Sequence, residues 1–450
     1  MSDVAAHPTN SGAQMLTAGE AAAQLGVKLG TLYAYVSRGW LKSYRRKVGR
    51  QALYRRADIE ALRGVIAPER GVRARSLPDA SSWVTVAQPP SDGSSTGVIV
   101  AESAVSSIIE GKLAYRGYPI EELVEHASFE EVCLLLWSGE RPRPEEIDHL
   151  RDGIAAARLP APVVAALAAV GADAPPLLRL AVMMPSLAAA EHRLPARSRI
   201  DQARMIITVL PLGLAPLAHE GGVSAGGASR AAGGDGGMAA RLCGRVLADP
   251  AAADREALDR VLVACAEHEL NASTFAARVV ASTGADLYAS VLAALCSLSG
   301  PIHGGACDRI ESMFAELDAG TRIEQALDAF GAKHSLPPGF GHTIYPSGDP
   351  RAVLLKRVAR ATAKRKGRKL FETALKFEEA VWKRARLRPN LDFYLTVCVR
   401  MVGFPRGMPA AIFAMGRAAG WIAHSLEQSA DNRLIRPRMR YHGSPLRHWQ

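Results

Sequence analysis

Aromatic residues are scarce, at 6% of the 450 positions, so the interior cannot rest on large rings and must be built from small aliphatic side chains. Ala and Leu are plentiful, which favours closely packed helices. The six cysteines (Cys133, Cys243, Cys265, Cys296, Cys307 and Cys398) show no CxxC pair and no regular spacing. That excludes a disulfide framework and a zinc knuckle, and it fits a reducing cytosol. Long hydrophobic runs are missing too. The most apolar stretch, Val163 to Ala190, is broken by Asp173, Pro175, Pro176, Arg179 and Pro185. It reads as helices buried in protein, not as a membrane span. The opening residues, MSDVAAHPTNSGAQ, lack the basic-then-apolar order of a secretory leader. With 48% hydrophobic and 22% charged residues, a largely disordered chain is excluded. The expectation is a soluble, cytoplasmic protein with no membrane partner, divided at roughly 100–200 residues per domain into about two to four domains.

What is present is an uneven positive charge. Of the net +11, residues 15–75 carry +9, from 13 Lys/Arg against 4 Asp/Glu. One piece of the chain is suited to a polyanion and the rest is nearly neutral. Residues 1–14 read as a flexible tail and residues 68–93, rich in Pro, Ser, Arg and Gly, as a linker. Between them, over 15–67, Thr17 and Glu20 form a capping box, and Ala18, Ala21, Ala22 and Leu25 share a helical face. Gly26 makes a turn. Leu29, Leu32, Tyr33 and Val36 then mark a second helix, and YRRKVGRQALYRR has the look of a hairpin wing around Gly49. Two short helices across a tight turn make a helix-turn-helix. The segment resembles the winged helix-turn-helix of the MerR/excisionase type, which implies DNA contact by Lys28, Thr31, Tyr35, Arg45, Arg46 and Arg50. The same basic residues would also suit a solvated surface or a protein-contacting module.

From residue 94 onward helical signals dominate. In SFEEVCLLLWSGERP, Ser128 and Glu131 make a capping box, and Gly139 suits the helix end. Gly221 to Gly237 reads as a surface loop, and sustained alternating strands are absent. Four segments concentrate the chemistry: HELNAST with His268, GPIHGGA with His303, GFGHTIYPSGDPRA with His342 and Arg351, and a C-terminal group with Asp392, Arg417, Arg436 and Arg438. Singly, each has an ordinary structural role: a histidine beside glycines can cap a helix, and Asp392 can cap or pair. His303 and Cys307 are spaced like metal ligands, but no further pair completes a site, so no metal is expected.

Jointly, HELNAST, GPIHGGA, DPRA, PNLDFY and WIAH, in this order, resemble the citrate synthase family over roughly three quarters of the chain. The resemblance implies a mainly α, two-domain helical body over 94–450, with a small domain at about 301–390, preceded by the small winged helix-turn-helix. It implies condensation of acetyl-CoA, as co-substrate, with oxaloacetate, and no tightly bound cofactor. It further implies a homodimer or higher even oligomer. Arg351 and Arg417 would then hold the two carboxylates as planar forks, joined by His268 and by Arg436 from the partner subunit. Asp392 matches the base, His303 the group on the thioester oxygen, and His342 the donor to the ketone. His303, near a helix start, would be kept neutral by the dipole, with the glycines beside it allowing close approach of backbone and cofactor. Thr343 and Pro346 stand where many family members carry basic residues for CoA. Arg357, Arg360, Lys364 and Lys366 are the expected replacements. Two alternatives stay open: a 2-methylcitrate synthase using propionyl-CoA, and a DNA-binding regulator whose synthase-like body senses oxaloacetate or acyl-CoA.

Overall fold

The computed structural model describes residues 15–27, 29, 32, 36, 41, 43–45, 52–56, 58–60, 102–192, 197–214, 236–332, 336–345, 347–437 and 441–446. The chain divides into two compact units, Met1–Thr85 and Val86–Gln450.

In the first unit, helix α1 (Ala18–Leu25) starts at the capping box expected from its sequence. Thr17 Oγ1 accepts the Glu20 N–H, and the Glu20 carboxylate accepts the Thr17 N–H at 2.8 Å. Gly26, at φ 69°, ends it. Three short strands, β1 (Met15–Thr17), β2 (Tyr44–Arg45) and β3 (Ala52–Arg55), form an antiparallel sheet in the order β1-β3-β2. The β2–β3 pair, with Tyr44 opposite Leu53 and Arg45 opposite Ala52, is the anticipated wing. The β1 strand gave no signal in the sequence. Its Leu16 joins Ala21, Ala22, Leu25, Leu32, Leu41, Tyr54 and Ile59 in a small core. Leu29 departs from expectation: it is 47% exposed, at the outer edge of the stripe that buries Leu32. Of the DNA-contact candidates, Arg45 lies in β2; Lys28, Thr31, Tyr35, Arg46 and Arg50 fall outside the described residues, as do the tail, the linker and most of the Gly221–Gly237 loop.

The second unit opens with a small meander, β4 (Ser106–Ile109), β5 (Lys112–Tyr115) and β6 (Tyr118–Pro119), again unannounced by the sequence because its strands are too short to alternate visibly. Helices follow: α2 (Ile120–His126), α3 (Phe129–Ser138), α4 (Pro144–Ala156), α5 (Ala161–Val170), α6 (Pro176–Glu191), α7 (Arg199–Leu214), α8 (Met238–Val246) and α9 (Ala252–Cys265). Then come α10 (Ala272–Ser282), α11 (Leu287–Leu298), α12 (Ala306–Asp318), α13 (Ile323–Ala332), α14 (Pro350–Ala363), α15 (Arg368–Ala385), α16 (Leu391–Val402) and α17 (Met408–Asp431). The Ser128–Glu131 box caps α3, and Gly139 closes it in the left-handed region. The apolar Val163–Ala190 stretch becomes α5 and α6. Among the described residues, no single helix is long and apolar enough to cross a membrane.

Helix α17 is the axis of this unit, buried on nearly every side from Met408 to Ser425. Small residues bring α9 against it: a Cβ on Gly416 would lie 2.7 Å from Cys265 Cβ and 2.8 Å from the Leu262 carbonyl. One turn later, a Cβ on Gly420 would meet the Ala266 carbonyl at 2.5 Å. Backbone lies on backbone there, which is how a core poor in rings becomes dense. Arg417 sits between the two glycines.

Candidate active site

Two helix starts meet at one carboxylate. Asp349 caps α14, and its Oδ1 accepts the Arg351 N–H at 3.0 Å. Its Oδ2 accepts the Leu391 N–H at 3.0 Å, at the first residue of α16. The same carboxylate takes the Arg351 guanidinium in bidentate fashion, Nε at 3.0 Å and Nη2 at 2.8 Å. Arg351 and Asp392, each in the first turn of its helix, are thereby fixed against a common anchor. Burial pushes the Asp349 carboxyl up, and the Arg351 charge overrides it, leaving it below the ordinary carboxylate range.

Asn271 caps α10 through a 3.1 Å bond from the Thr274 N–H, and this stops the chain with His268 just outside the helix. The His268 ring lies edge-on to His342, with centroids 5.3 Å apart, and its Nε2 is 3.0 Å from the Tyr345 hydroxyl. Burial, then the charges of Arg351 and Arg417, hold His268 well below the ordinary histidine value. His342 is lowered by burial and by Arg351. Its Nδ1 accepts the Ile344 N–H at 3.1 Å, so the neutral ring carries its proton on Nε2 and is a donor there.

Arg417 is fully buried. Its Nε donates to the Cys265 carbonyl at 2.7 Å, and its guanidinium lies 4.8 Å from the Phe413 ring centroid. Among the described residues its Nη2 has no hydrogen-bond partner, although it is buried. His303 Nε2 is 2.9 Å from Ser273 Oγ, which also accepts the Trp421 indole N–H at 3.1 Å. Burial and the Arg417 charge lower His303 to about 4, so it is neutral at physiological pH. Those are its physical causes in the folded chain. The glycines beside it serve chain-on-chain contact: a Cβ on Gly304 would lie 2.3 Å from the Leu298 carbonyl. Asp392 is raised to about 6 by burial, with Arg351 and Arg417 pulling the other way and Asp349 adding to the rise. The Cys307 thiol, a weak donor, is 3.9 Å from its Oδ1.

His268, His303, His342, Arg351, Arg417 and Asp392 therefore share one buried neighbourhood, felt in each other's electrostatics. Arg436 does not join it within this chain. It is exposed, next to Ile435, whose N–H donates to Ser282 Oγ at the far end of α10, ~15 Å along the axis from His268's end. Lys366 is withdrawn from any CoA role, since its Nζ is held by Asp254 and by the Val402 carbonyl, each at 2.8 Å. Arg357, Arg360 and Lys364 are exposed, but ~9–20 Å along α14 from Arg351. Among the described residues, a cation beside the His342 loop is Arg388, with Arg386 two residues before it; neither carried a separate signal in the sequence. Arg388 stacks on Trp382 at 3.7 Å and Arg386 lies 5.3 Å from the same ring. The Arg388 carbonyl accepts the Gly341 N–H at 2.9 Å, which lays RLRPN beside GHTIYPSG. Thr343 in that loop is exposed; Pro346 lies outside the described residues. Asp349, Tyr345, Ser273 and Trp421 were also overlooked as site partners. Their only signal was position inside the quoted motifs. Among the described residues, no cluster of three or more His, Cys, Asp or Glu could hold a metal.

Comparison with known proteins follows the same division. The family described as "Citrate synthase, C-terminal domain" matches residues 94–438, and "Helix-turn-helix domain" matches residues 15–63. The chain is 33% identical over 364 residues to "Citrate synthase 2" of Bacillus subtilis, covering 77% of this chain and 94% of that protein. It is 32% identical over 367 residues to "2-methylcitrate synthase 2" of Corynebacterium glutamicum, covering 78% and 94%. Among solved structures, a Thermoplasma acidophilum citrate synthase in ternary complex with carboxymethyl coenzyme A and oxaloacetate matches with a TM-score of 0.67 at 26% identity. That match covers 78% of this chain and 95% of that one.

Proposed function

Because this chain belongs to the citrate synthase family of condensing transferases, we propose that it condenses acetyl-CoA with oxaloacetate and hydrolyses citryl-CoA to citrate and CoA. Arg417 and Arg351 hold the oxaloacetate carboxylates together with His268, and Arg436 from a second copy of the chain completes the clamp. Asp392 takes a proton from the methyl carbon of the thioester. His303 donates a hydrogen bond to the thioester oxygen. The enol carbon attacks the ketone carbon of oxaloacetate while His342 Nε2–H donates to the ketone oxygen. Water then cleaves the citryl thioester, releasing the CoA thiol. Closure of the 301–390 segment over the remainder excludes water during the first step and readmits it for the second. Arg386 and Arg388 supply the positive charge for the CoA phosphates.

The observation that carries this reading is Arg417 Nη2, buried with no hydrogen-bond partner among the described residues, a cationic donor awaiting an anion, near enough to Asp392 for its charge to act on that carboxyl, itself raised to about 6. Neutral histidines and a carboxylate basic enough to accept a carbon-bound proton are what enolisation needs. A purely sensory body would need the arginines but not Asp392. The test is thiol release with both substrates present. Absence of turnover with oxaloacetate still bound would reduce the protein to a sensor.

The 2-methylcitrate relative supports a second reading in which propionyl-CoA is the acyl donor. One methylene in an apolar pocket is worth only ~1–3 kcal/mol, so comparison of kcat/KM for the two thioesters decides it. For the N-terminal module, the helix-turn-helix match and the +9 charge support DNA as its partner.

A further inference from the structure

The WIAH motif holds a histidine that the reaction above does not use. His424 is buried, seven residues after Arg417 on α17 and so on a similar face of that helix. Its Nδ1 is 2.9 Å from Arg278 Nη1, and its Nε2 is 3.1 Å from Glu267 Oε1. Arginine has no acceptor, so Nδ1 must accept, and the neutral ring carries its proton on Nε2 and donates to Glu267. Arg278 is itself held by Glu427 at 2.6 Å and Gln428 at 3.0 Å. Ser106, in β4, also donates to Glu267 Oε1, at 3.0 Å. Glu267 immediately precedes His268 and has no solvent exposure. Burial raises its carboxyl, and His424, Arg417 and the Ser106 hydroxyl overcome that, so it stays below the ordinary value.

Its other oxygen is bare. Glu267 Oε2 is buried with no hydrogen-bond partner among the described residues, and it faces Gly420, where a Cβ would lie 2.1 Å from it. Gly420 is three residues from Arg417, whose Nη2 is likewise buried with no hydrogen-bond partner among the described residues. The contrast with Arg351 is informative. Asp349 neutralises Arg351 by direct contact and occupies both Nε and Nη2. Arg417 gives its Nε to a backbone carbonyl, and the carboxylate that balances its charge makes no hydrogen bond to it.

We propose that Glu267 is a positioning residue for the dicarboxylate: locked by His424, it supplies the counter-charge of Arg417 through space and leaves Arg417 Nη2 free for the incoming carboxylate. The proposal rests on oxaloacetate being the substrate.

The test uses the full chain, with oxaloacetate binding followed by calorimetry and kcat measured at saturation. Glu267→Gln removes the competing negative charge and tightens oxaloacetate by about three- to tenfold, the scale of one screened charge interaction. His424→Leu frees the carboxylate to turn onto Arg417 Nη2, and oxaloacetate weakens by about tenfold or more while kcat stays within about threefold, as expected when only ground-state binding is lost. The double variant restores binding, because the intruding carboxylate is gone. A merely structural role gives the opposite: both singles weaken binding and the double is worse. Weaker binding by Glu267→Gln, or no rescue in the double variant, overturns the proposal. If Glu267→Gln does not fold, undiminished binding by His424→Leu overturns it and a loss confined to affinity supports it. Failure of the unaltered chain to bind oxaloacetate would instead sink the substrate reading on which this rests.

Discussion

Asp349 grips the Arg351 guanidinium with two hydrogen bonds, at 3.0 and 2.8 Å, and uses the same carboxylate to hold the start of the helix that carries Asp392. Arg351 is therefore placed before any ligand arrives, and Asp392, the proposed base, is placed by the same group. Asp349→Asn cannot accept all of these bonds. It should cost about 3–5 kcal/mol of stability, as expected when a buried ion pair loses one partner. It should also raise the KM for oxaloacetate, measured on whatever fraction remains folded.

As the proposed base, Asp392 should set the acid side of the pH profile. Its carboxyl, raised to about 6, must be ionised to accept a proton, so kcat should climb as pH rises through about 6. His303, lowered to about 4, stays neutral across that range. His303→Asn should reduce kcat by ~10²–10³-fold without moving the limb near 6, the size of a lost general acid–base contribution. A limb that shifts in this variant would reassign the titrating group.

The same raised carboxyl weakens the fold. A carboxylate that ionises later in the folded chain than in the unfolded one costs stability as pH rises from the ordinary value near 3.8 through about 6 and beyond. Asp392→Asn should abolish turnover, raise Tm at pH 8, and give little or no gain below about pH 4. Thermal melts at the two pH values check the sign.

Arg388→Ala should raise the KM for acetyl-CoA by about ten- to a hundredfold, the worth of a hydrogen bond to a charged group, and leave the KM for oxaloacetate near its original value. Arg357→Ala and Arg360→Ala should change either constant by no more than about twofold, as exposed cations away from the site do. The reverse pattern would return the CoA phosphates to helix α14.

For the N-terminal unit, a gel shift with duplex DNA should be strongest at low salt and weaken steeply as salt rises, because phosphate contacts release counterions. No shift at low salt would reject DNA as the partner.

Much of the fold was legible because helices announce themselves locally. Ser128 with Glu131 and Thr17 with Glu20 formed the capping boxes that their spacing required. The strands did not, since β1 and β6 are only two or three residues long, and β1 is made by a partner far along the chain, β3. In the site, the residues that carry chemistry stood in recognisable motifs, whereas those that hold them did not. Asp349 looks like any helix cap until Leu391 is seen on its other oxygen, and Glu267 looks like an ordinary acidic residue before a histidine. Arg388 was missed because its neighbour, the GHTIYPSG loop, is more than forty residues away in sequence and arrives only through the Gly341–Arg388 bond. Arg436 was placed by family resemblance alone, and within this chain it is exposed and apart from the other site residues.

The glycine crossing of α9 and α17 has a mechanical meaning. At Gly416 and Gly420 there is no side chain to rotate, so the two helices cannot slide without backbone striking backbone. That crossing is the stator of the molecule. Any cycle of opening and closing has to be taken up elsewhere. Gly339, Gly341, Gly348 and Gly367, all at positive φ, mark the turns that flank α14, and Gly339 is itself pinned, its carbonyl accepting the Asn390 N–H at 2.8 Å.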